Sequence, residues 1–148
     1  MRFRYPLQKL VDLKTNEKEQ AEWMLSEAVG QLQQEQQALT ELEEELARVG
    51  EELAYASIHR TTISQMQLLQ HYSQHLEQQI RLKTKDVDRA QANVTDKQHV
   101  LTGKMMEEKV WTKAKEKAQL QFTAIVMKKE QEELDEIALN RRVQTIVS

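Results

Sequence analysis

No cysteine occurs in the chain, so no disulfide framework can staple it, and the composition fits a reducing compartment. There is one proline, Pro6, and only three glycines, Gly30, Gly50 and Gly103, so almost nothing interrupts a helix. Aromatic residues make up 5% of the sequence and hydrophobic residues 39%, against 30% charged, which is too polar for a globule with a deep core. No apolar run approaches the roughly 18 residues of a membrane span. The basic start Met1-Arg2-Phe3-Arg4-Tyr5 leads into Gln, Lys and Asp rather than the apolar stretch of a secretory signal, so a cytoplasmic location is expected. A formal net charge of −3 supplies no global attraction to nucleic acid or anionic lipid; any such binding has to be local.

What the chain does have is heptad order. Leu25, Leu32, Leu39, Leu46 and Leu53 recur every seventh residue, with a second series at Ala28, Glu35, Leu42, Val49 and Ala56. Together they give the alternating three and four spacing of a coiled-coil seam, which needs a partner. A matching ladder, Ile80, Val87, Val94 and Leu101, lies in the same chain. Leu39 with Ile80, Leu32 with Val87 and Leu25 with Val94 have residue numbers that all sum to 119, the constant sum of an antiparallel hairpin reversing between Ile58 and Thr61.

The predicted fold is all-α: a long antiparallel two-helix coiled-coil hairpin in a single domain, residues 1–148. Helix 1 is expected over about residues 6–56, opening at Pro6, whose fixed φ suits a first helical position. The turn is expected at 57–61. Helix 2, expected at 62–145, starts with the capping box formed by Thr62 and Gln65. An alternative break lies at Thr84-Lys85-Asp86, where Thr84 or Asp86 could cap a new helix.

The seam is uneven. Toward the N-terminus Lys14 and Lys18 intrude among Leu7, Leu10, Val11 and Ala21. On helix 2, Lys83, Lys97, Lys104, Glu108 and Lys115 share the register with Leu76, Ala90, Trp111, Ala118, Phe122 and Ile125. Seam charges weaken a coiled coil and set its alignment. Residues 27–53 hold eight glutamates and one arginine, whereas 81–117 hold ten Lys or Arg and six acids, which favours antiparallel pairing of the arms.

The arms are also unequal. Met1 mirrors to Ala118, leaving roughly the last 30 residues without a partner in the chain, a projection of about 45 Å as a helix. This overhang carries Leu120, Phe122, Ala124, Ile125, Val126 and Met127, then Leu134, Ile137, Ala138 and Leu139, then Val143, Ile146 and Val147. An external partner is the expected cover; the alternative is that the overhang frays or packs on a second copy of the chain.

Nothing points to catalysis. A two-stranded helical rod offers no cleft to desolvate convergent groups, and none of the glycines belongs to a phosphate-cradling loop. His71 and His75, four apart on one helical face, lack the Glu of a metalloprotease helix or any cysteine, so they read as two solvated histidines. Trp23 and Trp111 read as seam or flank packing rather than as a ligand platform. Lysines interleaved with acids, without an aromatic pair, do not make a nucleic-acid surface. No enzyme activity, no metal and no cofactor are expected.

The two ends carry a resemblance. Phe3-Arg4-Tyr5-Pro6-Leu7-Gln8-Lys9-Leu10-Val11-Asp12-Leu13-Lys14, followed by Glu17-Lys18-Glu19-Gln20-Ala21, resembles the opening of the flagellar export protein FliJ family. Gln131-Glu132-Glu133-Leu134-Asp135-Glu136-Ile137-Ala138 is similar to its C-terminal signature, and Glu108-Lys109-Val110-Trp111 sits where the family has a basic and apolar turn. The resemblance implies a component of the flagellar type III export apparatus, similar to the coiled-coil part of the rotary ATP synthase γ subunit. Its terminal pole binds a hexameric export ATPase and promotes its assembly, and the rod links that ATPase to the cytoplasmic part of a membrane export-gate protein. Such a protein is cytoplasmic and peripherally associated with the membrane apparatus.

Carried onto this sequence, ATPase contacts fall on Leu7, Leu10, Leu120, Phe122, Leu134, Asp135, Glu136, Ile137 and Ala138. The family's gate-binding pattern matches Leu42, Tyr72 and Leu76, whereas Glu45, Val49, Gln79 and Lys83 depart from it. Leu42 and Leu76 also fall on the seam. The rival roles are an escort for late export substrates or their chaperones, and a purely structural tether. An injectisome stalk shares the rod with less similar ends.

Overall fold

The computed structural model describes residues 2–147, without the side chain of Val147. Met1, from which the overhang was reckoned, and the Val147 side chain within it lie outside the described residues. Two helices make up the chain, α1 (Gln8–Ile58, 51 residues) and α2 (Ile63–Val147, 85 residues), packed on each other, with α2 the longer. No strand occurs among the described residues.

The boundaries differ from expectation in instructive ways. Pro6 sits in the turn before α1 rather than at its first position: the Gln8 amide donates to Tyr5 (3.1 Å) and the first full helical bond runs from the Val11 amide to the Leu7 carbonyl (3.2 Å). At the reversal α1 continues two residues past Ala56, because the His59 amide reaches the Tyr55 carbonyl at 3.1 Å and completes one more turn. The connection is residues 59–62. Thr62 caps α2 as its spacing predicts, its hydroxyl accepting the Gln65 amide at 3.2 Å.

No break occurs at Thr84-Lys85-Asp86. The two candidate caps are engaged within a continuous helix: the Thr84 hydroxyl donates back to the Ile80 carbonyl at 2.8 Å, and Asp86 pairs with Lys83 (3.5 Å) and Arg89 (3.8 Å). A hydroxyl satisfied one turn back offers nothing to a new N-terminus.

The chain divides into two compact units, one of Gln20–Thr102 and one of Met1–Glu19 with Gly103–Ser148. In the unit containing the turn, the seam is apolar. Ala28, Leu32, Ala90 and Val94 form a buried cluster joined by Leu25, Val29 and Val87, and Val49, Ala56 and Leu76 are buried along the same stripe. The pairing is antiparallel and keeps the predicted register, with Leu32 and Val87 in one cluster and Glu35 on Lys83 at 3.0 Å. On α1 the alanines and valine of the companion series, Ala28, Val49 and Ala56, are buried, whereas of the five ladder leucines only Leu32 is buried and the others are half-buried. Where two helices meet closely a small side chain is covered entirely, while most of the α1 leucines reach to the flank, where a single partner helix covers them only in part.

In the unit formed by the two chain ends, Val11 is the only buried large apolar residue among the described residues, and charges occupy the seam. Lys14 bridges Glu107 (3.3 Å) and Glu17 (3.5 Å), Lys104 bridges Glu17 (3.4 Å) and Glu107 (3.8 Å), and Lys18 pairs with Glu108 (3.2 Å). Of the expected intruders, Lys18 and Glu108 thus neutralise each other across the helices, and Lys14 and Lys104 are neutralised by Glu17 and Glu107. Beyond them, residues 2–5 are non-helical, and Phe3 packs on Phe122 with ring centroids 5.2 Å apart. An extended chain advances about 3.3 Å per residue against 1.5 Å in a helix, so these few residues reach farther along α2 than mirror arithmetic allows.

Candidate functional site: the exposed end of α2

Phe3 packs on Phe122, and Phe122 and Val126 are half-buried, so the continuously uncovered stretch begins at Met127 rather than Gln119. From there to Ile146 every residue is exposed. These residues nonetheless stay helical, and they span about 30 Å.

The apolar members of this stretch do not share one face. Met127 and Leu134 are heptad-spaced with Leu120 just before the stretch, Ala124 and Ala138 fall on the same side, and the three large residues are 63%, 60% and 71% exposed. At about 100° per residue, Leu139, Val143 and Ile146 emerge about 110° away from that stripe, and Ile137 emerges on a third side, in line with Phe122 and Val126. Between them lies a mixed polar surface that includes Asp135, which accepts Gln131 Nε2 at 3.1 Å, and the exposed Glu136. Leu7 and Leu10, in the same unit, are exposed at the start of the chain. Of the expected ATPase-contact residues, then, Leu7, Leu10, Leu120, Leu134, Asp135, Glu136, Ile137 and Ala138 are open, and Phe122 is partly covered by Phe3.

The expected gate-binding residues lie in the other unit and are placed differently from one another. Tyr72 is exposed and donates its hydroxyl to Glu45 at 3.0 Å. Glu45 also holds Arg48, which pairs with Glu52 in turn. Arg48 first, then the Tyr72 hydroxyl, keep the Glu45 carboxyl below its ordinary range, and the same hydrogen bond pushes the Tyr72 phenol up. Leu42 is half-buried and Leu76 is buried in the seam, 4% exposed. Leu76 therefore belongs to the seam.

Trp23 corrects the sequence reading: it is 64% exposed, not packed on seam or flank, whereas Trp111 is half-buried on the seam as expected. Its heptad position, opposite the seam, was the signal. His71 and His75 are both exposed. Among the described residues no group of three or more potential metal ligands converges.

The family model for the flagellar FliJ protein matches residues 3–144. The chain belongs to the FliJ family. It is thereby a component of flagellar type III protein export, and the family is a structural part of that apparatus. No curated protein and no solved structure matches the chain. Membership covers both units, so the exposed end of α2 and the Tyr72 surface are both parts of the FliJ-family region. No helix among the described residues is long and apolar enough to cross a membrane.

Proposed function

We propose that this FliJ-family chain is a non-enzymatic stalk that enters a hexameric flagellar export ATPase with its chain-terminal unit and promotes the assembly and turnover of that ATPase. The observation that carries the reading is the distribution of apolar side chains around α2 beyond Val126. A helix docked on one flank needs one stripe; a helix with apolar groups on three sides suits an enclosing partner such as the mouth of a ring. Leu120, Leu134, Ile137 and Ala138 are the anchors, Asp135 and Glu136 the polar contacts, and Leu7, Leu10 and Phe122 the adjoining wall. Charged, half-exposed seam pairs behind this end allow it to adjust without losing a hydrophobic core.

The link to the export gate runs through Tyr72, with Leu42 beside it and Leu76 in the seam. The Glu45 hydrogen bond restrains the ring of Tyr72 on an otherwise solvent-facing surface.

The deciding experiment compares the full chain with one ending at Val126 in the ATP turnover and ring formation of a purified flagellar export ATPase. Deleting only exposed residues leaves both seams intact. Stimulation by the full chain and its loss in the shortened one are expected. Equal stimulation by both would refute the stalk reading, and stoichiometric binding of late export substrates without any stimulation would favour the escort. For the gate, Tyr72→Ala should weaken capture of the gate's cytoplasmic part with helicity unchanged.

A further inference from the structure

Carboxylates are spread through this chain, 24 in 148 residues, yet residues 53–76 contain none. That stretch is the end of α1, the turn and the start of α2. It holds one arginine, Arg60, and three of the four histidines, His59, His71 and His75. It also carries large apolar side chains with no place in the seam: Ile58 is 81% exposed, Ile63 76%, Leu68 69% and Tyr55 65%. Ile58 and Ile63 are the last residue of α1 and the first of α2, so they flank the turn.

The turn that presents them is well tied. Ser57 Oγ donates to the Ala54 carbonyl at 2.8 Å, Tyr55 and His59 stack at 3.9 Å between ring centroids, and the Thr62 cap fixes the entry to α2. The nearest carboxylates along each helix are Glu52 and Glu77. At 1.5 Å per residue they sit about 9 Å behind Ile58 and about 21 Å behind Ile63. Those distances are comparable to or greater than the screening length at physiological salt, about 8 Å. A chain of net charge −3 can therefore present this end, and only a short length behind it, to a negative surface without repulsion.

The geometry points to an anionic lipid surface as the occupant: we propose that the turn end docks on an anionic bilayer, with Ile58 and Ile63 entering the interface, Tyr55 at headgroup level and Arg60 on the phosphates. A bilayer interface accepts an exposed apolar pair beside a basic residue and an amphipathic ring. This is surface docking, since neither helix can span. It is independent of the ATPase reading, which rests on the other unit.

The test is flotation of the full-length protein with phosphatidylglycerol-containing vesicles and with pure phosphatidylcholine vesicles. Flotation with the anionic vesicles, weakened by salt, is expected. Arg60→Ala should lower partitioning about fivefold, in line with about 1 kcal/mol per basic residue at an anionic surface. The double change Ile58→Asp and Ile63→Asp should lower it at least about tenfold. All three side chains are solvent-facing, so circular dichroism should be unchanged, and stimulation of the export ATPase should be unaffected. Failure to float, equal flotation with both lipids, or native flotation of the double variant would overturn the proposal. So would loss of a protein contact at this end without any loss of lipid binding, which would assign Ile58 and Ile63 to an apolar pocket on a partner.

Discussion

The two units solve the same packing problem with opposite chemistry. Between Gln20 and Thr102 the helices meet through Ala28, Leu32, Val49, Ala56, Leu76, Ala90 and Val94, with a single inter-helix ion pair on the seam, Glu35 with Lys83. In the unit made by the chain ends they meet through Lys14, Glu17, Lys18, Lys104, Glu107 and Glu108. Apolar burial is worth about 25 cal/mol per Å² and is insensitive to salt, whereas partly exposed ion pairs contribute little and are screened. The first seam holds the helices together and the second mainly holds them in register. The partner-binding role proposed for that end would benefit from the arrangement, because charged contacts can be rearranged at low cost.

The strongest challenge to this contrast is to attack the apolar seam. Leu76→Ala removes a side chain that is 4% exposed and should lower unfolding free energy by about 2–4 kcal/mol in denaturant titration; Val49→Asp should abolish cooperative melting. A smaller loss at Leu76 than at an exposed site such as Leu134 would break the comparison.

Next in size is the charged seam. Glu17→Lys places a third ammonium beside Lys14 and Lys104, and amide exchange should accelerate over residues 8–19 while residues 28–49 stay protected. Uniform acceleration in both regions would show that the two seams open together.

Acid should reproduce that effect more gently. Partial desolvation pushes the Glu17 carboxyl up, but the hydrogen bond and charge of Lys104, reinforced by Lys14, outweigh it and hold Glu17 below its ordinary value. A depressed carboxylate contributes stability above its unfolded value and loses that contribution as pH falls through its folded one. The Glu107 hydrogen bond raises Lys14, and the Glu35 hydrogen bond raises Lys83. Their contributions are present below the usual lysine value and disappear as pH rises through the raised one. Both networks are therefore intact around neutrality. On acidification below the carboxylate range, exchange in the chain-terminal unit should accelerate before that in the unit with the apolar seam.

The smallest expected effect checks that the contrast lies in the seams and not in the backbone. Gly50 and Gly103, one in each unit, are both helical, and a Cβ added at either would meet nothing within 4 Å. Gly50→Ala and Gly103→Ala should each raise stability by about 0.5–1 kcal/mol in thermal melts. Unequal gains would locate part of the difference in helix propensity.

Much of this was legible in the residues. The heptad ladders of α1 and α2 and their constant sum gave the register found between Leu32 and Val87, because a two-helix seam is nearly one-dimensional and spacing alone fixes it. The capping box at Thr62 was equally direct. Trp23 misled because a large aromatic was expected to seek cover, although its position opposite the seam denied it any. Thr84 left a break open as an alternative because one hydroxyl can serve a cap or the preceding turn; α2 is continuous, as the main expectation had it, and the hydroxyl serves the turn. For the candidate sites, the seam position that the spacing gave Leu76 is matched by its burial, and Tyr72, off the seam, is exposed.

By itself the sequence determined the helices, their antiparallel partnership, the unequal arms and the FliJ-family membership, all of which follow from periodicity, capping chemistry and motif. Tertiary structure decided how far the overhang is free, since an extended Arg2–Tyr5 segment carries Phe3 onto Phe122 in a way no helical spacing encodes. It also decided which seam residues are sealed and which seam charges find partners, because enclosure depends on the distance between two helices and not on the order of residues along either one.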